Sequence, residues 1–107
     1  MALDGIFLHH LKNEVAEFAV GARIDKIYQP SKEELVLSLR SREGAEKLLL
    51  SCRANTAGMY FTKYPPENPA KPPMLCMLLR KHIGSGRIVS VSQPGLERCI
   101  HFEIEHL

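Results

Sequence analysis

Pro69, Pro72 and Pro73 stand within five positions and lead directly into six consecutive apolar residues, Met74 to Leu79, with Gly84-Ser85-Gly86 behind them. Proline fixes φ and biases the residue before it toward extended backbone, so residues 68–73 form a rigid approach and not part of a helix or an inner strand. Pro73 suits a first helical position, where its missing N–H is not needed, and the glycines at 84 and 86 supply a stop. The stretch therefore predicts a short, well-punctuated helix. Its apolar run leaves little polar face before Arg80, Lys81 and His82, which predicts a helix buried inside the domain and surfacing at its C-terminal end. Cations there suit the helix dipole, as a solvated end or as phosphate contacts. A proline-rich ligand for an SH3-type groove is the other use of such a stretch; the helix that follows at once favours a rigid lead-in.

The rest of the chain alternates between two periods. Phe7 or Leu8, Leu11, Val15 and Phe18 recur at helical spacing, with Asp4 placed to cap and Gly21 to stop. From Ile24 to Gln29 the period becomes two, closed by Pro30. Ser31-Lys32-Glu33-Glu34 is a polar turn, and Leu35 to Arg40 alternates again, so the two strands pair as a hairpin. Lys47 to Cys52, with its three consecutive leucines, predicts a strand covered on both sides, and Met59 to Lys63 a fourth strand. Arg87 to Gln93 and Arg98 to Glu105 form a second hairpin across Pro94-Gly95-Leu96. The order is α-β-β-β-β-α-β-β. Strands running consecutively without intervening helices predict an α+β fold with an antiparallel, sandwich-like sheet and two helices.

Composition narrows the function classes. A net charge of +2 is too small for the whole chain to act as a polyanion sponge, so any nucleic-acid site must be local. The start, MALDGIFLHHLKNEV, has no basic leader and carries charge within its apolar part, which predicts neither a signal peptide nor a membrane span and places the protein in the cytoplasm. Cys52, Cys76 and Cys99 lack C-x-x-C spacing, so neither a disulfide framework nor a structural zinc site is expected, and all three read as small core or sheet residues. No cofactor is implied.

In the last strand Ile100, Phe102 and Ile104 share one face and Cys99, His101, Glu103 and Glu105 the other. His101, Glu103 and His106 could be drawn as metal ligands, but no second cluster supports them, and a solvated acidic face is the simpler expectation. His9 and His10 point about 100° apart on a helix, which does not suit one shared metal. Pro94-Gly95-Leu96-Glu97-Arg98 is more informative, since it presents an acid and a base side by side at a hairpin corner. Such a pair is either a surface ion pair of about 0–1 kcal/mol or a guanidinium pre-oriented for phosphate or a base edge.

PPMLCMLLRKH at 72–82, LDGIFLHHLKNEV at 3–15, GARIDKIYQPSKEELVLSLR at 21–40, KLLLS at 47–51 and GSGRIVSVSQPGLERCIHFEI at 84–104 together resemble the N-terminal domain of the NFACT family. In bacteria this is the RqcH or fibronectin-binding-protein-A-like group. The resemblance implies that residues 1–107 are one such domain, truncated on its C-terminal side, and related in fold to the DNA-glycosylase (MutM-like) N-terminal domain. It also implies a non-enzymatic module that binds tRNA and the obstructed large (50S) ribosomal subunit with its peptidyl-tRNA, and that recruits alanyl-tRNA for C-terminal alanine tailing. In the family an Asp-Arg pair is implicated in tRNA recognition. Here Glu97-Arg98 stands in its place, keeping the charges and adding a methylene to the acid. Arg80, Lys81, His82 and Arg87 are secondary candidates for RNA backbone contacts. The older family name implies instead a surface adhesin for fibronectin or fibrinogen, which sits badly with the expected lack of an export signal. Glycosylase chemistry would need an N-terminal proline and an adjacent glutamate, where this chain has Ala2 and Leu3.

Overall fold

The computed structural model of the chain describes residues 5–53, 57–97 and 99–105. Its elements are α1 (Gly5–Ala19), β1 (Arg23–Ser31), β2 (Glu34–Ser41), β3 (Gly44–Ser51), β4 (Gly58–Phe61), α2 (Met74–Ile83), β5 (Arg87–Ser92) and β6 (His101–Glu105). Helix α1 buries Leu8, Leu11, Val15 and Ala19, a stripe at steps of three and four. Phe18 lies beside that stripe, half-buried and edge-to-face on Phe61 at 5.7 Å. Asp4, the expected cap, lies outside the described residues.

The strands form one antiparallel sheet in the order β4-β3-β2-β1-β5-β6. Serine chemistry closes two of its turns. Ser31 Oγ accepts from the Glu33 N–H at 3.3 Å and donates to Glu34 Oε1 at 3.0 Å, and Ser41 Oγ accepts from the Glu43 N–H at 3.1 Å. Strand β1 continues one residue past Pro30, which is tolerated because the register slips between Tyr28 and Ser31.

A narrow seam joins the β1–β4 meander to the β5–β6 hairpin. Only Arg23 and Arg87 are in register across it, flanked by Ile24 N–H to Gly86 O at 2.7 Å and Ile88 N–H to Ala22 O at 2.9 Å. Gly86 permits this approach, since a Cβ there would stand 2.6 Å from Ile104 Cγ2.

The core is wholly apolar at its centre, where Val15, Ile24, Ile27, Leu39, Leu48 and Ile88 are fully enclosed. Burying each such side chain contributes on the order of 1.5–3 kcal/mol. Leu50 and Met59, near one sheet edge, and Ile100 and Phe102, near the other, line the same cavity of about 450 Å³. The architecture is thus α+β with two helices, as the sequence suggested, and its sandwich-like sheet is one sheet curled until its edges face each other. Alternation alone does not distinguish a curled sheet from two packed layers, because both have one buried face per strand.

Helix α2 departs from expectation more sharply. Only Cys76 is buried, while Met74, Leu75, Met77 and Leu78 are 78%, 50%, 56% and 48% exposed. Cys76, Leu79 and Ile83 form the stripe that faces the sheet. A helix lying on one side of a single sheet hides one stripe, so a continuous apolar run must leave its other residues outside. The cysteines are corrected likewise: Cys76 is buried, whereas Cys52 and Cys99 are exposed. Among the described residues, no helix is long and apolar enough to cross a membrane.

Candidate nucleic-acid interface

The corner between β5 and β6 is built by hydrogen bonds within the turn and to α1. Gly95 takes φ 58°, and the Glu97 N–H donates to the Pro94 carbonyl at 3.2 Å. Gln93 Nε2 donates both to the Glu97 carbonyl at 2.6 Å and to the Gly5 carbonyl at 3.0 Å, clamping the corner to the start of α1. Gly5 passes so close beneath that a Cβ on it would run into the Leu96 carbonyl. Glu97 is exposed on this corner. Arg98 lies outside the described residues.

The other sequence candidates fall in two different places. Arg80 Nε donates to the Ile27 carbonyl at 2.8 Å, and its guanidinium lies 5.7 Å from the centre of the Tyr28 ring. Arg80 therefore ties α2 to β1, which limits its freedom to follow a phosphate. Lys81 and His82 are exposed on the last turn of α2. The helix ends as the Gly84 N–H donates to the Arg80 carbonyl at 3.2 Å, and the left-handed residue that follows is Ser85, at φ 68°, and not a glycine. Arg87 begins β5, the end of that strand remote from the Glu97 corner by roughly 17 Å at about 3.3 Å per residue. The structure does not bring the candidates into one site.

Around Arg87 it assembles residues that were not singled out from the sequence. Arg23 is in register with Arg40 on one side and with Arg87 on the other, so three arginines stand abreast across β2, β1 and β5. Directly opposed residues of antiparallel strands project from the same face. With Arg42 in the β2–β3 turn they line a cleft of about 490 Å³, into which Phe18 also faces, and Glu17 and Glu43 complete its rim. The signal was partial: counting strictly back from the Lys32-Glu33 turn would set Arg23 against Arg42, and two register shifts, between Tyr28 and Ser31 and between Ile24 and Lys26, bring it opposite Arg40. On the neighbouring strand β6, His101, Glu103 and Glu105 are exposed, with Glu105 in register with Arg87, and His106 lies outside the described residues. Among the described residues, no three His, Cys, Asp or Glu side chains gather as a metal site.

Comparison with known proteins places this geometry in a family. Residues 4–107 match the model described as NFACT N-terminal and middle domains. The Rqc2 homolog RqcH of Bacillus subtilis is 41% identical over 105 residues, which cover 98% of this chain and 18% of that protein. The chain belongs to the NFACT family. It spans under a fifth of the length of that curated relative. Among solved structures, the N-terminal domain of the fibronectin-binding protein PavA from Streptococcus pneumoniae superposes with a TM-score of 0.88 at 38% identity, over 94% of this chain and 38% of that one. The N-terminal part of the fibronectin/fibrinogen-binding protein FBPS from Streptococcus suis gives 0.88 at 35% identity, over 96% of this chain and 39% of that one. The α+β fold with two helices and a curled antiparallel sheet is therefore the NFACT N-terminal fold, and the RqcH relatives tie the family to ribosome quality control.

Proposed function

We propose that this NFACT domain is a non-enzymatic, cytoplasmic RNA-contacting module of a ribosome-associated quality-control factor. It meets tRNA at the β5–β6 corner, on large ribosomal subunits that carry obstructed peptidyl-tRNA. Its work is positioning: alanyl-tRNA is recruited for C-terminal alanine tailing, and the ribosome supplies the peptide-bond chemistry. The observation that carries this is the clamp at Gln93, which fixes the backbone of Glu97 to both its own turn and α1. With the Glu97 backbone tied to its own turn and to α1, the corner is ordered before any partner arrives, and an ordered corner loses less entropy on meeting an RNA. Lys81, His82 and Arg87 add phosphate contacts of lower specificity, with Arg80 beside them serving mainly the fold.

The test is tRNA recovery with the protein from cell extracts, together with co-sedimentation on 50S subunits. Arg98→Ala is expected to reduce tRNA recovery while leaving the far-ultraviolet circular dichroism spectrum intact; undiminished recovery removes the corner as the tRNA site. A second reading, adhesion to fibronectin or fibrinogen, draws support from the names of the two structural relatives. Saturable binding to immobilised fibronectin without any ribosome association decides for it.

A further inference from the structure

The arginine row at the far end of β5 is electrostatically expensive as a purely structural device. Like charges directly opposite one another in a sheet destabilise the pair, and here a central arginine faces a like charge on both sides. Nearby acids offset this only in part. Arg40 meets Asp25 at 3.6 Å, with both side chains well exposed, and Glu105 is in register with Arg87 beyond the row. Among the described residues neither Arg23, Arg42 nor Arg87 belongs to an ion pair. Within the cleft four arginines face two glutamates, Glu17 and Glu43.

We infer that this row is a second RNA site, which takes the phosphate backbone of a single-stranded segment, apart from the corner at Glu97. Adjacent strands lie about 4.8 Å apart, so the three guanidinium stems extend over roughly 10 Å, enough to follow successive phosphates along a strand. Guanidinium forks match phosphate oxygens two at a time, which compact ammonium groups do not. Phe18 supplies the other half of a single-strand site. Its ring lies in the wall of the same cleft, seated against Phe61, and an aromatic face beside a basic track is the arrangement on which unpaired bases stack. An inorganic polyphosphate or an anionic lipid surface would meet the cations alone, whereas a single-stranded RNA also meets the part of Phe18 left in the cleft wall by its packing on the core. RNA uses both.

The experiment measures binding of a fluorescein-labelled oligouridine to the full 107-residue chain by anisotropy across a salt series, with inorganic polyphosphate and phosphatidylglycerol vesicles as parallel ligands. Three phosphate contacts give a slope of log K against log salt of about −2 for a single strand. Arg23→Gln with Arg87→Gln is expected to weaken oligouridine binding about tenfold or more and to flatten the slope by about 1.4. Phe18→Leu is expected to weaken oligouridine but not polyphosphate. Thermal melts accompany each variant, and relief of the like-charge opposition predicts that the double variant melts no lower than the parent. An unchanged slope in the double variant overturns the row while leaving the corner proposal standing. Tight binding of polyphosphate or vesicles with no binding of oligouridine overturns the assignment to RNA.

Discussion

Replacing Arg80 by alanine separates a staple of the fold from a contact to ligand. The side chain makes a charge-assisted hydrogen bond of 2.8 Å to the Ile27 carbonyl and lies over Tyr28. The first contributes about 1.5 kcal/mol, at the low end for a charged donor because the residue is exposed, and the second about 0.5–1 kcal/mol. The dipole contribution is small here, since Lys81 and His82 remain on the same turn. Arg80→Ala is therefore expected to lower stability by about 2 kcal/mol, a sizeable part of the roughly 5–15 kcal/mol available to a domain. For a chain of this size that lowers the melting midpoint by roughly 8–16 °C. The chain has no tryptophan, so far-ultraviolet circular dichroism in heat and in urea is the suitable probe. Arg80→Lys keeps the charge but cannot place a planar Nε–H at the carbonyl, and should recover less than half of the loss. An unchanged urea midpoint in Arg80→Ala, accompanied by weaker RNA binding, would refute the reasoning and return Arg80 to the ligand contacts.

Two further substitutions test the fold's other determinants. Ser85 holds a left-handed backbone that costs a non-glycine residue about 1 kcal/mol, so Ser85→Gly should raise the urea midpoint with an unchanged m-value; no gain would mean that its surroundings already relieve the strain. Leu39 is fully enclosed in the apolar core, and Leu39→Ala should lower unfolding free energy by about 2–5 kcal/mol, read from the same denaturation curves.

Much of the fold is written in local signals. The two-residue period of 35–40, the serine turn before β2, and the proline-led entry to α2 each act within a few residues of their effect, and all are where the sequence puts them. The exposure of Met74 and Met77 was not legible, because an apolar run does not say how many sides of the helix will be covered. Nor did the sequence separate one curled sheet from two layers, since that depends on how far the strands twist before the edges meet. The candidate site was legible only as residue types. Arg80 is cationic and near the right helix end, but its hydrogen bond to Ile27 crosses fifty-three positions of sequence. The arginine row needed a strand register with two shifts in it and a long-range pairing together, and neither can be counted from the turn alone.

The junction between the meander and the last hairpin also gives assembly an order in time. Each rung among β1 to β4 closes through a short connection, so little chain freedom is lost before it forms. The Arg23–Arg87 rung must wait until the proline approach and α2 have carried the chain back across the face of the sheet. The residues that complete the arginine row are thus united only after the meander, and a nascent chain presents Arg23 and Arg40 well before it presents the anion platform they belong to.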